Sequence, residues 1–505
     1  MSGGDDPDAC IPTPLRDFVF DLHDSVRRSQ IAAEQSALYT GVFRELSAKY
    51  FANSPWPSPE SISSECGGDP LFLAFYSELT QRNLHSASHV KVHCRVEGWH
   101  VYVKLFDALL SDAAQPSSSL YILPEWAFDI LHEFVYQFQG FCQFRTQTTA
   151  NAAKASSKSS SPHVLETIET LKNNRDAWAV ETVLLYLTRL SALSDHSSPA
   201  HRHLSLFASV VLSRLECLLG DYHSSLAALG TLYANPSNLS LVNAVFPAKL
   251  SIAYHAGVSY LMLRRYKDAT RVLGDICGAM QRSFKTGQVK KLQGPKDQFQ
   301  KLYDRMIALL AIVTHVCPGV KIDEVLARGI REKYGKQLHK IESGEEGYED
   351  LFIFACPKFI SPALPDYSNL SDESGSSQEA YRLQVKQFMS EMSQQRTLRK
   401  LRSYMKLYTS IKLDKLAAFN DAQEEEFLAR MLCYKHKMSQ LETTDEGNPL
   451  DGHMGTAMDI HYYITNDMVH VGEEEKVRMF EKFFIRGIKG NVDIISDLEK
   501  ISTTV

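Results

Sequence analysis

The chain has no run of 18 or more apolar residues, although 44% of its 505 residues are hydrophobic. A helix that crosses a bilayer needs such a run, so membrane spans are excluded as an expectation, and the apolar residues are left for buried cores. The acidic start, Met1 to Asp6, has no apolar segment of the kind a secretion signal carries. Its nine cysteines are scattered with no C-x-x-C pair, which excludes the usual zinc and redox spacings and fits reduced thiols in the cytosol or nucleus. Cationic excess is absent too. With a net charge of −6 the chain is not held to RNA or anionic lipid by bulk charge.

Catalytic signatures are also missing. No phosphate-cradling G-x-x-x-x-G-K-[ST] occurs, no dinucleotide glycine fingerprint follows a strand, and no nucleophile elbow is present. His132 and Glu133 begin like a zincin, but Tyr136 stands where the second imidazole is needed. His201, His203, Ser213 and Glu216 approximate a metal-isopeptidase pattern with the wrong last ligand and the wrong spacing. His89, His93 and Cys94 have no second ligand pair nearby. Carboxylate pairs such as Glu349 and Asp350 sit on polar helix faces. The expectation is a protein that is not an enzyme and uses no metal or cofactor.

What is present is helical periodicity. Phe18, Leu22 and Val26 mark one apolar face, Leu38, Val42 and Leu46 another, and Leu71 to Tyr76 opens a helix apolar on most sides. Pro124 begins a long aromatic helix, at a position where a first turn tolerates proline. Thr146 to Pro162 is rich in Ser, Ala, Thr and Lys without a period, and reads as a loop. Beyond it lies a repeat. Leu219–Gly230 aligns without gaps to Leu263–Gly274 at an offset of 44, each copy ending one helix, turning at a Tyr and starting another. This is the helical-hairpin unit of tetratricopeptide-like solenoids, whose stacked faces bind proteins. Further helices are expected over Leu302–Thr314, Ile322–Tyr334, Tyr348–Phe354 and Glu379–Met392, with a Ser/Pro/Asp loop at Ser361–Ser377.

Near the carboxyl end the pattern becomes helix, turn, helix, hairpin. A first helix is expected over Leu398–Ile411 and a second over Leu413–Phe419. Asn420 and Asp421, with Glu424 three residues on, are expected to cap a third helix that carries Phe427, Met431, Tyr434 and Met438 on one face. Ile460 to Ile464 and Met468 to Val471 flank Thr465-Asn466-Asp467 as a hairpin. Three helices and a hairpin in this order make a winged helix. The third helix opens with Glu424, Glu425 and Glu426, where a DNA reader wants cations, so protein docking is favoured over base reading.

The organisation expected is mainly α. An amino-terminal helical region spans 1–145 and a Ser/Ala-rich linker 146–164. Tetratricopeptide-like repeats follow over 165–395, then a winged helix over 396–472 and a terminal helical segment over 473–505. Tyr462 and Ile464 on the hairpin, with Val477, Phe480 and Phe484 beyond it, are the candidate partner-docking residues, the competing reading being that they fill this chain's own small core. Arg399, Arg402 and Lys406, spaced i, i+3, i+7, are the candidate RNA-contact residues, with Arg396 and Lys400 nearby. A second basic group, Lys285, Lys290, Lys291, Lys296 and Lys301, surrounds a glycine-bearing loop.

A helical-repeat array running into a winged helix resembles the PCI module of proteasome-lid, signalosome and initiation-factor scaffolds; here the module would span roughly 295–490. Trp56-Pro57, Leu123-Pro124-Glu125-Trp126, Leu218 to Tyr222, Tyr260 to Tyr266, Cys356 to Pro362, Lys406 to Thr409 and Phe483 to Arg486 narrow the resemblance. Spread in order over nearly the whole chain, they are similar to the L-subunit family of eukaryotic translation initiation factor 3. That resemblance implies a non-catalytic subunit of a cytoplasmic complex that binds the small ribosomal subunit and promotes recruitment of mRNA and initiator tRNA. It also implies docking among PCI subunits through winged helices and terminal helices. A scaffold subunit of another PCI complex, and a free nucleic-acid-binding winged-helix protein, are the competing readings.

Overall fold

The computed structural model describes residues 11–28, 32–52, 54–85, 90–114, 120–155, 162–193, 198–286, 296–317, 320, 322–343, 347–365, 367, 379–443, 447–458 and 460–472, with 484, 485, 487, 488, 490–492 and 495 beyond. It is mainly helical, with five short strands among the described residues: β1 (Ser410–Lys412), β2 (Ser439–Glu442), β3 (His453–Thr456), β4 (His461–Thr465) and β5 (Met468–Gly472). Two compact units result. One comprises 1–393 with 440–456, the other 394–439 with 457–505.

The first unit is built around the helix Pro124–Ala155, whose Trp126, Ile130, Leu131, Phe134, Val135 and Phe138 are fully buried. Residues at three- and four-residue intervals on several sides are apolar, so neighbours cover it almost all round. Phe134 meets Phe106 edge-to-face at 4.8 Å and Trp178 at 5.4 Å, and Trp178 Nε1 donates to the Arg95 carbonyl at 2.9 Å. Region 1–145 is not separate from the repeats. The extended segment Leu120–Leu123 is stitched to both sides: Tyr121 N donates to the Val26 carbonyl, while the Leu120 carbonyl accepts from Ser198 Oγ and Ala200 N. The buried amide of Gln35 completes the seam, accepting from Leu123 N at 2.9 Å and donating to the Tyr121 carbonyl.

The stretch expected to be a loop from Thr146 is helical as far as Ala155, and 156–161 lie outside the described residues. Thr146 and Thr149 are buried, each hydroxyl donating to the carbonyl four residues back, while Ala152 and Ala153 fill the same face. Small polar residues that look loop-like in sequence are accommodated once their hydroxyls bond to the preceding turn.

Both copies of the 44-residue repeat turn by the same device. Pro199–Leu219 ends with Gly220 at φ +90°, and Asp221 N donates to the Glu216 carbonyl at 3.0 Å. Phe246–Met262 ends with Arg264 at φ +61°, and Arg265 N donates to the Tyr260 carbonyl at 2.8 Å. Each is a left-handed helix stop with a six-to-one hydrogen bond, and corresponding residues differ by 44 throughout. The following helices differ. Tyr266–Lys285 is continuous, whereas the first copy breaks into Tyr222–Ala227 and Gly230–Tyr233.

The helices expected around 302–314, 322–334 and 348–354 are Lys296–Val316, Glu324–Ser343 and Gly347–Ala355. Residues 357–365 after Cys356 have no regular structure and form a strap. Ile360 N donates to the Leu218 carbonyl, Gln139 Nε2 to the Lys358 carbonyl, and Arg145 Nη2 to the Pro362 carbonyl at 3.0 Å.

The second unit is a winged helix. Its sheet has the order β1-β5-β4, antiparallel throughout, with Ile411 opposite Val469 and Tyr462 opposite Val471. Asn466 and Asp467 both have positive φ and close the β4–β5 hairpin in the manner that matches strand twist. Two expectations fail. The helix expected over Leu398–Ile411 is the end of one continuous helix, Glu379–Met405, and Ser410–Lys412 is the strand β1. The third helix, Glu424–Met438, has Gln423 at its N-cap without a side-chain bond, because Asp421 sits at φ +50° in the preceding turn.

Candidate interaction surfaces

The winged helix buries the residues its sequence phase assigns inward. Phe427, Met431, Tyr434 and Met438 are buried, as are Leu413, Leu416 and Val469. Tyr462 belongs to this core. It is 3% exposed, its hydroxyl donates to the Met431 carbonyl, and Lys435 Nζ lies 5.8 Å from its ring and donates to its carbonyl. Ile464 is half-buried on the same face of β4, opposite Val469. Strand residues alternate, so the outward ring of β4 is Tyr463, 58% exposed and stacked on His470 at 5.0 Å. Choosing the larger apolar residues of a strand selects its inner face; the surface residue is the one between them.

Of the residues beyond the hairpin, Val477 and Phe480 lie outside the described set. Phe484 is helical and 62% exposed, as are its neighbours Ile485 and Ile488 to similar extents. Arg399 lies in the helix Glu379–Met405, with its side chain outside the described set; Arg402 is half-buried and Lys406 exposed. Glu424, Glu425 and Glu426 are exposed at the start of the third helix, where they suit the positive end of its dipole. Lys285 and Lys301 are exposed, while Lys290 and Lys291 lie outside the described residues.

A surface pairing that the sequence did not reveal holds the loop between the third helix and the hairpin. Residues 440–456 lie against the second repeat turn. Arg265 donates to Thr443 Oγ1 at 2.6 Å and to the Leu450 carbonyl at 3.2 Å, Asp268 accepts from Thr443 N at 3.1 Å, and Tyr260 Oη donates to the Pro449 carbonyl. Lys267 adds an ion pair to Glu442. The first copy of the repeat has Asp221 at the position of Arg265, so only the second turn makes this set of contacts.

The buried polar groups form structural networks. Arg82 donates to Glu78 at 3.2 Å and to Tyr39 Oη at 2.8 Å, and Tyr39 donates to Asp129 at 2.7 Å. Burial pushes the Glu78 carboxyl up to about 7 despite the guanidinium beside it. His132 and His255 flank the region of Arg214; burial, with the Arg214 charge second, holds His255 down at about 3 and His132 well below the ordinary imidazole range. Among the described residues no group of three or more His, Cys, Asp and Glu side chains could hold a metal ion. His203 Nδ1 instead bonds to the Ile122 carbonyl at 2.8 Å, and His201 lies 3.6 Å from Asp112. Among the described residues, no helix is long and apolar enough to cross a membrane.

Comparison with known proteins gives these surfaces a context. A family model described as RNA polymerase I-associated factor PAF67 matches residues 94–490. Eukaryotic translation initiation factor 3 subunit L of Xenopus tropicalis is 34% identical over 489 residues, covering 92% of this chain and 83% of that relative. The proteins of the same name from Homo sapiens and Nematostella vectensis are 33% identical over 488 residues and 31% over 501, the latter covering 95% of this chain and 91% of its own. With the similarity running through the repeats, the strap and the winged helix alike, the chain belongs to the family of eukaryotic translation initiation factor 3 subunit L.

Proposed function

We propose that the chain is a non-catalytic scaffold subunit of eukaryotic translation initiation factor 3 in the cytoplasm, supporting binding of the complex to the small ribosomal subunit and recruitment of mRNA and initiator tRNA. The observation that carries this reading is similarity over nine-tenths of the chain to relatives bearing that subunit's name. The surfaces agree with it in kind. A helical-repeat unit and a winged helix with an acidic third-helix start offer shape and apolar area to neighbouring proteins rather than a cleft to a substrate.

Docking onto other PCI-type subunits is assigned to the terminal segment, with Phe484 as its described anchor and Val477 and Phe480 preceding it. Contact with RNA phosphates is assigned to Arg399, Arg402 and Lys406. Affinity purification of the full chain from cells, with identification of the bound proteins, tests the reading. Co-purification of the initiation factor 3 subunits is expected; proteasome-lid or signalosome subunits, or RNA polymerase I, in their place would overturn it. Replacing Phe480 and Phe484 by Asp should release the chain from its complex with its helical content intact.

A further inference from the structure

We infer that the winged helix carries a stacking platform for single-stranded RNA, formed by Tyr404, Tyr408 and Phe419 with Lys412 and Lys415 beside it. Tyr404 and Tyr408, four residues apart where the long helix ends, both stack on Phe419: the ring centroids lie 5.9 Å and 6.5 Å apart, at interplanar angles of 26° and 25°. The Tyr404 hydroxyl donates to the Phe419 carbonyl at 3.3 Å and fixes the first pair. These rings are not core. Phe419 is 43% exposed, Tyr408 38% and the adjoining Leu407 74%.

The cations flank the same short helix. Lys415 precedes Phe419 by four residues, one turn along the helix Leu413–Ala418 and its C-cap, and Lys412 ends strand β1 immediately before that helix. Both lysines are exposed, and neither has a carboxylate partner among the described residues. Asp414, the nearest acid in sequence, is engaged in its own helix turn, its Oδ1 accepting from Lys415 N at 2.6 Å.

Exposed aromatic faces beside unpaired cations are what single strands bind: a base of any identity stacks on a ring while its phosphate meets an ammonium group. A duplex cannot use the platform, because its bases are already stacked on each other. The third helix, with its acidic first turn, takes no part. The surface therefore binds RNA without base reading, which suits a single-stranded message threading past a scaffold. The choice of RNA over single-stranded DNA rests on the proposed role in initiation; the stacking geometry does not.

The test uses the full chain and a 12-nucleotide unstructured RNA, with the same sequence as a duplex for comparison. Wild-type binding to the single strand in preference to the duplex is expected. The double variant Tyr408→Ala/Phe419→Ala should lose about tenfold or more of that affinity. Phe419→Trp, which keeps a stacking surface, should retain it. Lys412→Glu/Lys415→Glu should reduce the slope of log affinity against log salt by roughly 1.4, two phosphates' worth. Circular dichroism confirms that each variant remains folded. Unchanged affinity in the alanine variant, or equal binding of the duplex, overturns the inference. So does a variant that keeps its RNA but loses a co-purifying protein, since the rings would then be a protein contact. Failure of the wild-type chain to enter the initiation factor complex would count against the proposed function and leave the RNA result standing.

Discussion

Arg265 and Asp268 stand one helical turn apart and form a buried ion pair, with Asp268 Oδ2 2.8 Å from Arg265 Nη2 and 2.9 Å from Nε. Each also reaches outward to residues 443–451, so the pair is the point at which the returning loop is fastened to the repeat unit. Removing one buried partner leaves the other charge without compensation, at a cost of about 3–5 kcal/mol. Asp268→Ala should therefore lower the thermal midpoint and speed amide exchange at Thr443 and Leu450 far more than at the core of Pro124–Ala155. Exchange that rises equally everywhere would show global destabilisation instead of a local fastening.

The two repeat turns make a paired prediction. Gly220 and Arg264 occupy corresponding left-handed positions, which cost a residue with a Cβ about 1–2 kcal/mol. Gly220→Ala should destabilise by roughly that amount, and a Cβ there would also press on the Gln384 amide, 2.5 Å away. Arg264→Gly should do the reverse, raising stability by about 0.5 kcal/mol after allowing for the greater freedom of glycine in the unfolded chain. Opposite shifts in denaturant midpoint would establish that the turns are equivalent; shifts of the same sign would refute it.

Why these features were unequally legible follows from the range of the interactions. The repeat, the long aromatic helix and the three-helix-plus-hairpin order are set by local periodicity and turn residues, and these are visible in sequence. Strand β1 has three residues, too few to establish an alternation, and it exists because Ile411 finds Val469 nearly sixty residues later. The fastening at Arg265 is equally non-local, its partners lying about 180 residues on. Tyr462 shows a different limit: strand periodicity separates two faces but does not say which one is inside, so it leaves docking and core filling equally open for Tyr462 and Ile464, and only the fold shows that Tyr462 is buried and Tyr463 is the exposed ring.

Acid should destabilise the first unit through its enclosed histidines. His255, held at about 3, and His132, held well below its ordinary value, bind protons in the unfolded chain near pH 6.5 but not in the folded one. Their contribution is complete above pH 6.5 and is lost as pH falls toward the folded values, at roughly 1.4 kcal/mol per pH unit for each histidine. Glu78 runs the other way. Its folded value of about 7 lies above the unfolded 4.5, so its contribution is complete below pH 4.5 and is lost as pH rises through 7. Between pH 6.5 and 4.5 these two histidines outweigh Glu78, so the three together lose stability on acidification; His85 and His203 act with the histidines, and Asp129, Glu133 and Glu216 with Glu78. His255→Asn should flatten that loss in the unfolding midpoint, and Glu78→Gln should steepen it.

The winged helix separates core from surface in a single strand. Tyr462 fills the core and bonds through its hydroxyl to the Met431 carbonyl, so Tyr462→Ala should cost about 3–5 kcal/mol and Tyr462→Phe about 1 kcal/mol. Tyr463, one residue on, touches His470 and otherwise faces outward, and Tyr463→Ala should change stability by less than about 1 kcal/mol. Loss of a partner in Tyr462→Ala would therefore reflect unfolding of the winged helix, whereas loss in Tyr463→Ala would identify the outer face of β4 as a docking surface. Thermal denaturation alongside co-purification separates the two cases. A Tyr462→Ala protein that stayed folded and bound would place its ring outside the core and contradict the inward phase of β4.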